Sequence, residues 1–205
     1  MKKIAFVGCG GINSWAAQHL FDVSKMFERD EVIYVKIFDE DIIEEKNLKR
    51  RNQNFDFDEL MEPKAETIGK RYNFDYENIF ITKDNISKLD RFDDIILGVD
   101  NHKTRKLIYE YALKNDKFLL DMRAQGTLFS YYVVDGSKDM EYYNKKFFSN
   151  ENIMERKGSC QLQNDIENNH IENGNKVIAY FGIYGIFFKR IREEKIAAKE
   201  FKFAY

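Results

Sequence analysis

The sequence has few cysteines and no long apolar run. Its two cysteines, Cys9 and Cys160, cannot form a four-cysteine zinc site, and no CxxC pair is present. Because Cys9 lies inside a glycine-rich stretch, we expect no structural disulfide and a reducing, cytoplasmic location. No apolar run approaches membrane-spanning length. Only four apolar residues separate Met1-Lys2-Lys3 from the first glycine, so we also expect no signal peptide.

An excess of positive charge is also missing. Lys and Arg number 33 against 35 Asp and Glu, which gives a formal net charge of −2. This balance argues against binding to nucleic acid, and we expect neither a nucleic-acid nor a membrane partner. The apolar share of 43% and the aromatic share of 15% are typical of a globular protein. A chain of 205 residues can bury a core as one α/β domain.

Short apolar runs alternate with helix-like patterns along the first part of the chain. We predict strands over residues 4–7, 32–38, 79–82, 94–99 and 118–122. Helices are predicted over residues 12–26, from Pro63 onwards, and over 101–115. This alternation predicts an α/β fold, a Rossmann-like doubly wound and mostly parallel sheet with helices on both faces.

The pattern changes after the fifth predicted strand. Residues 126–134 have an extended pattern, and residues 137–175 are polar and irregular, as in a crossover loop. A long amphipathic or buried helix is predicted over residues 177–195, and a short tail, "KEFKFAY", ends the sequence.

A glycine-rich turn follows the first predicted strand. Gly8, Gly10 and Gly11 allow backbone N–H groups to approach an anion, the helix dipole adds to this attraction, and Ser14 offers a hydroxyl. Asn13 stands where a dinucleotide fingerprint has its third glycine. Taken alone, the turn is compatible with a nicotinamide or flavin dehydrogenase, or with a tight structural turn.

An acidic residue ends the second predicted strand. In doubly wound folds an acid at this place bonds the ribose hydroxyls, and Asp39 fits that position. Alternatively, Asp39 or Asp41 caps the turn that follows.

These motifs continue in an order that resembles the ThiF/MoeB adenylyltransferases, which are relatives of the ubiquitin-activating enzymes. The resemblance covers residues 3–134. It rests on the glycine turn and on four further segments in register: Asp39-x-Asp41, Asn47-Leu48-Lys49-Arg50, Pro63-Lys64-Ala65-Glu66, and Asp100-Asn101-His102-Lys103-Thr104-Arg105. The resemblance implies a single adenylation domain over residues 1–205, with a nucleotide-binding core over 1–135 and a crossover loop plus helix over 136–205.

The resemblance also implies a reaction and a set of residues. Family members join a carboxylate to the α-phosphate of ATP with Mg²⁺, and cations stabilise the negative charge that develops. It implies catalytic roles for Arg50, Lys64, Asp100 and Cys160, with Asp100 as the metal ligand. The implied nucleotide-binding residues are Gly8, Gly10, Gly11, Ser14, Asp39, Asp41, Asn47, Arg50, Lys64, Asp100 and Asn101.

Several of these residues have simpler alternatives. Arg50 belongs to a basic run that could be solvated surface, and a lysine in a first helical turn, such as Lys64, is ordinarily exposed. Asp100 and Asn101 are both good helix caps. Arg105 could pair with a neighbouring helix, whereas we expect Arg123 to shape the site.

Cys160 lies in the polar crossover, near Arg156 and Lys157, whose charges would favour a thiolate. Family members often transfer the activated acyl group to a cysteine or to sulfur, which is the role implied for Cys160. The alternative is that Cys160 is a surface cysteine without a catalytic role. The stretch "GSCQL" before an apolar helix resembles ThiF-type proteins of plasmid and phage systems. The implied partners are a small ubiquitin-like or sulfur-carrier protein with a C-terminal glycine and a second copy of the chain. We expect no counterpart of the family's arginine-bearing N-terminal arm.

Overall fold

The first strand alternates between two environments. Ile4 and Phe6 face one side and Ala5 and Val7 the other, and all four are buried, as in a strand covered on both faces. The computed structural model describes residues 2–26, 33–48, 52–125, 128–143, 170–196 and 200–204. Its strands are β1 (Lys2–Val7), β2 (Ile33–Phe38), β3 (Asp75–Glu77), β4 (Asp94–Leu97), β5 (Phe118–Gln125), β6 (Leu128–Asp135) and β7 (Glu200–Ala204).

The seven strands form one sheet in the order β3-β2-β1-β4-β5-β6-β7. The first five strands are parallel. β6 runs antiparallel to both of its neighbours, so β7 again has the direction of the first five. The predicted Rossmann-like, mostly parallel fold is therefore confirmed. The strand order reverses between β1 and β4, and in such folds ligands bind beyond the carboxyl ends of the strands at this point.

Helices cover both faces of the sheet. They are α1 (Gly11–Ser24), α2 (Glu45–Leu48), α3 (Lys64–Tyr72), α4 (His102–Lys114), α5 (Met140–Tyr143) and α6 (His170–Tyr180), which continues as a π-helix (Phe181–Phe187) and α7 (Phe188–Ile191). Short 3₁₀ turns span Phe57–Glu59, Ile86–Leu89 and Ser137–Asp139. One core cluster packs beneath α1, α3 and α6–α7, and the other beneath α4 and α5. None of the helices in the described part of the chain has the length and apolarity of a membrane span.

Three predicted elements need correction. The third strand is Asp75–Glu77 rather than residues 79–82, because the edge strand is polar while the apolar Ile81 packs into the core without strand pairing. The segment predicted as irregular over residues 137–175 contains a 3₁₀ turn, α5 and the start of α6, whereas residues 144–169 lie outside the described residues. The long helix begins at His170 and ends at Ile191. The terminal tail supplies a strand, β7, which was not predicted.

Candidate functional site

The glycine turn joins β1 to α1 and leaves open space in front of the helix. Gly8 has a φ of +84°, which favours glycine, and its N–H donates to the carbonyl of Phe38 at 2.9 Å. A Cβ on Gly10 would meet no atom within 4 Å. Gly10 is the N-cap of α1, and no side chain caps the first turn. First-turn N–H groups are strong anion donors, so the turn has the geometry of a phosphate site.

Asn13 occupies the place of the third fingerprint glycine without blocking the turn. Its side chain is fully buried, and Nδ2 donates to the carbonyl of Gly8 at 2.7 Å. The space comes from Gly98, just after β4, where a Cβ would lie 2.4 Å from Asn13 Cγ. The glycine that permits close packing at this point is thus Gly98, at the end of β4, and not a residue of the turn itself. The sequence signal was the Gly98 that directly follows the fourth apolar run.

Gly11 and Ser14 connect the turn to neighbouring segments. A Cβ on Gly11 would lie 2.5 Å from Nδ2 of Asn175 on α6, and this amide donates to O and Oδ1 of Asn52 at 3.0 Å each. Ser14 is fully buried, and its hydroxyl donates to the Gly11 carbonyl and accepts from the N–H of Asn54 at 3.0 Å. The hydroxyl therefore fastens α1 to the segment after residue 51, and phosphate binding by Ser14 stays a prediction. No local sequence pattern marks Asn175, because its contact with Asn52 spans 123 residues.

Asp39 links the end of β2 to the glycine turn. Its Oδ2 accepts from the N–H of Cys9 at 2.5 Å, and its Oδ1 accepts from the N–H of Asp41 at 2.8 Å. Burial raises the pKa of the Asp39 carboxyl, against the opposite effect of these hydrogen bonds and of Lys64. Burial, with the Asp39 charge, also raises the pKa of the Cys9 thiol well above its ordinary value. Cys9 is thus a buried packing residue beside the predicted ribose ligand.

Lys64 is a buried cation at the start of α3. Its side chain is only 6% exposed, so the simpler alternative of an ordinary exposed lysine is wrong. Nζ lies 2.8 Å from Oδ2 of Asp41, whose side chain is 66% exposed. The backbone N–H of Lys64 also donates to the carbonyl of Asp41, at 2.9 Å. Pro63, as the N-cap, starts this helix as predicted.

A further predicted residue, Asn47, lies on α2. Asn47 is buried, its Oδ1 accepts from the N–H of Glu44 at 2.8 Å, and its carbonyl accepts from the N–H of Gln53 at 3.2 Å. These bonds bring together the chain on both sides of residues 49–51. Arg50 itself lies outside the described residues, as does Cys160.

Asp100 and Asn101 follow the end of β4. Asp100 is exposed, and the Oδ1 of Asn101 accepts from the N–H of Thr104 at 2.7 Å, so Asn101 caps α4. The pKa of the Lys46 ammonium on α2 is raised, first by its hydrogen bond with Glu44 and also by the charges of Asp41 and Asp100. Both carboxylates therefore lie within electrostatic range of one lysine. Among the described residues, no group of three His, Cys, Asp or Glu side chains is placed to hold a metal ion.

A buried ionic cluster lies beside the segment that joins β4 to α4. Asp121 on β5 has no exposed surface and accepts from Arg105 Nη1 at 2.9 Å, from Arg123 Nε at 2.7 Å and from the Tyr109 hydroxyl at 3.0 Å. Arg105 thus pairs with a strand and not with a neighbouring helix. Burial, followed by the Asp121 charge, raises the pKa of the Tyr109 hydroxyl well above its usual range. Arg123, expected to shape the site, lies over the ring of Tyr132.

Fold and site together define a Rossmann-type protein with an open glycine turn at the point where the strand order reverses. A model of the ThiF family matches residues 1–179, and the chain belongs to this family. A comparison with curated protein sequences found no significant match.

Solved structures with the same fold include E. coli MccB with AMPCPP and MccA, with 15% identity and a TM-score of 0.73 over 100% of this chain and 60% of that one. E. coli MccB with ATP gives 14% identity and a TM-score of 0.71, and covers 100% and 61% of the two chains. PaaA gives 15% identity and a TM-score of 0.69, with 100% and 61% covered. The chain therefore spans about 60% of the length of these proteins, and at such identities the likeness shows the fold.

Proposed function

We propose that the chain is an ATP-dependent adenylyltransferase that activates the C-terminal carboxylate of a small ubiquitin-like or sulfur-carrier protein. The observation that carries the proposal is the open space at Gly10, in front of the uncapped first turn of α1, in a member of the ThiF family. The similar MccB structures with ATP, and with AMPCPP and MccA, support a nucleotide and a second molecule as joint substrates.

In the proposed reaction, a carboxylate oxygen of the partner forms a bond to the α-phosphorus of ATP. The bond from that phosphorus to the oxygen bridging to the β-phosphate breaks, and pyrophosphate leaves with the electron pair. The products are an acyl-adenylate and pyrophosphate. Because two anions meet, the main task of the protein is to orient them and to place positive charge near the phosphates.

The backbone supplies the first part of this task. N–H groups from Gly10 onwards, at the positive end of α1, would bind phosphate oxygens. Asp39 is held by two N–H groups of the turn and of its own strand end, so its remaining lone pairs would receive the ribose hydroxyls. Lys64 and Arg50 would supply the cationic charge, with Lys64 aligned by its ion pair with Asp41.

A single exposed carboxylate suits Mg²⁺, which binds proteins through one or two carboxylates and takes its other ligands from phosphates and water. Asp100 is exposed at the carboxyl end of β4 and fits this role. When bound there, Mg²⁺ would neutralise charge on the phosphate oxygens.

The remaining expectations form part of the same proposal. They are a homodimer, a cytoplasmic location, acyl transfer to Cys160, and one adenylation domain with a core over residues 1–135 and a crossover loop plus helix over 136–205. Nucleotide binding by Asn47 and Asn101 is included, although both side chains already make the local hydrogen bonds given above.

The test uses two glycines that both have open space. The Gly10→Ala variant should fold as the wild type does, because its Cβ meets no atom within 4 Å, but the methyl group should obstruct the phosphate. Gly185→Ala is the control, since its nearest neighbour atom is 4.0 Å away on the π-helix. We expect Gly10→Ala to weaken ATP–Mg²⁺ binding about tenfold to a hundredfold, as for one lost hydrogen bond to a charged group.

Calorimetric titration with ATP–Mg²⁺ and with NAD measures this directly. Pyrophosphate exchange into ATP, with a small protein ending in Gly-Gly as partner, then tests for catalysis. A wild-type protein that binds NAD and not ATP–Mg²⁺ would contradict the proposal. ATP binding without exchange for any cognate partner would indicate a non-catalytic member of the family.

A further inference from the structure

We infer that Asp121, acting through Arg105, is a positioning residue that fixes the backbone of Asp100 at the rim of the sheet. This inference rests on the proposed function, because it concerns the residue proposed to hold Mg²⁺. Asp121 and Arg105 would affect the reaction indirectly, and the buried cluster beside the site would thereby have a positioning role.

One guanidinium joins two parts of the molecule. Nη1 of Arg105 lies 2.9 and 3.2 Å from the two carboxylate oxygens of Asp121, and Nη2 donates to the carbonyl of Val99. Val99 directly precedes Asp100 in the chain. The planar fork of Arg105 therefore ties a strand carboxylate to the peptide unit before the proposed metal ligand.

The other side of Asp100 is held independently. Asn101 caps α4 through its bond with the N–H of Thr104 at 2.7 Å. Asp100 thus stands between two residues whose positions are fixed by hydrogen bonds, while it remains exposed itself. A ligand for Mg²⁺ benefits from such a fixed backbone, because this ion demands near-ideal octahedral geometry.

Asp121 is needed to keep Arg105 in this position. The Arg105 side chain is only 10% exposed and that of Asp121 is not exposed at all. Without the carboxylate, Arg105 would be a buried cation without its counter-charge, which is strongly unfavourable. Lysine could not replace it, since an ammonium group cannot reproduce the two-sided contact of the fork.

The chain offers a matched control at the opposite edge of the sheet. Asp94, at the start of β4, is also without exposed surface and is paired with an arginine, Arg190, at 3.1 Å. The variants Asp121→Asn and Arg105→Lys are therefore compared with Asp94→Asn and Arg190→Lys. Both pairs lose an ionic contact of an aspartate without exposed surface, with Arg190 32% exposed where Arg105 is 10% exposed, but only the first pair lies beside Asp100.

Hydrogen exchange of the amides of residues 98–102 measures the positioning without any reaction. We expect exchange on the order of tenfold faster in Asp121→Asn and Arg105→Lys, and unchanged in the two controls, because local opening replaces a fixed turn. Equal exchange in Asp121→Asn and Asp94→Asn overturns the inference, whether or not the wild type binds ATP.

Pyrophosphate exchange by the full chain measures the effect on the reaction. We expect Asp121→Asn to lower kcat on the order of tenfold and to raise the Mg²⁺ requirement, with KM for the partner unchanged. In the Asp100→Asn background, Asp121→Asn should have no further effect, because both act on one ligand. If the two substitutions lower kcat by factors that multiply, the inference is contradicted. If the wild type does not bind ATP–Mg²⁺, the proposed function is contradicted, and the hydrogen-exchange result alone decides whether Asp121 positions Asp100.

Discussion

At the scale of the residue, the glycine turn depends on a shared space between two distant positions. Asn13 lies on α1 and Gly98 directly follows β4, and the side chain of Asn13 fills the volume that a Cβ on Gly98 would need. Its bond to the Gly8 carbonyl holds the turn in its left-handed conformation. A fingerprint glycine is thus replaced by a pair in which one partner is large and the other is small.

This pair gives a double-mutant prediction. Gly98→Ala should destabilise the protein by about 1–3 kcal/mol, as expected for an overfilled site. Asn13→Ala should cost about 1 kcal/mol through its lost hydrogen bond. Combining them should remove most of the cost of Gly98→Ala, since the new methyl group then has room. Urea unfolding of the four proteins measures the coupling, and strictly additive values would show that the two positions do not share space.

Local sequence patterns predicted most of the candidate site residues at the edge of the sheet, but not the residues that hold them in place. Gly8, Asp39, Lys64 and Asp100 could be found because each directly follows a strand or starts a helix, and these local patterns meet at one edge. Asn175 could not, because its contact with Asn52 spans 123 residues. The partner of Arg105 could not be predicted either, because only the packing of α4 on β5 brings Asp121 close to Arg105.

At the scale of the element, hydrophobic pattern predicted the buried strands and missed the edges. β1, β4 and β5 are covered on both faces, so their apolar runs mark them well. β3 is a polar edge strand of three residues, Asp75–Glu77, and only its pairing with β2 defines it. The π-helix over Phe181–Phe187 was also not predicted, because its apolar residues continue the helical pattern and do not mark the wider turn.

The two glycines of the π-helix support an element-scale prediction. A Cβ on Gly182 would lie 2.2 Å from the sulfur of Met122 on β5, whereas Gly185 has space. Gly182→Ala should therefore destabilise the protein by about 1–3 kcal/mol. Gly185→Ala should be neutral or stabilising by up to about 1 kcal/mol, because alanine restricts the unfolded chain. Thermal unfolding compares the two, and equal melting temperatures would mean that the helix does not pack on β5 through Gly182.

At the scale of the whole molecule, the later part of the chain completes the core of the earlier part. Ile178, Ile183 and Phe187 are fully buried in the same cluster as Phe118 and Leu120 of β5. The amide of Asn175 also reaches Gly11 at the candidate site. Residues 1–135 therefore share one core cluster with α6, the π-helix and α7, and the other with Tyr143 of α5, which favours the proposed single domain.

A shared core predicts a single cooperative unfolding transition. Trp15, the one tryptophan of the chain, lies on α1 and packs against that core, so its fluorescence should follow the same urea transition as far-UV circular dichroism of the whole chain. A fragment of residues 1–135 should show no such transition, because one face of β5 would lose its cover. Non-coincident transitions in the full chain, or cooperative unfolding of the fragment, would mean that the nucleotide-binding core folds alone and that α6 only docks onto it.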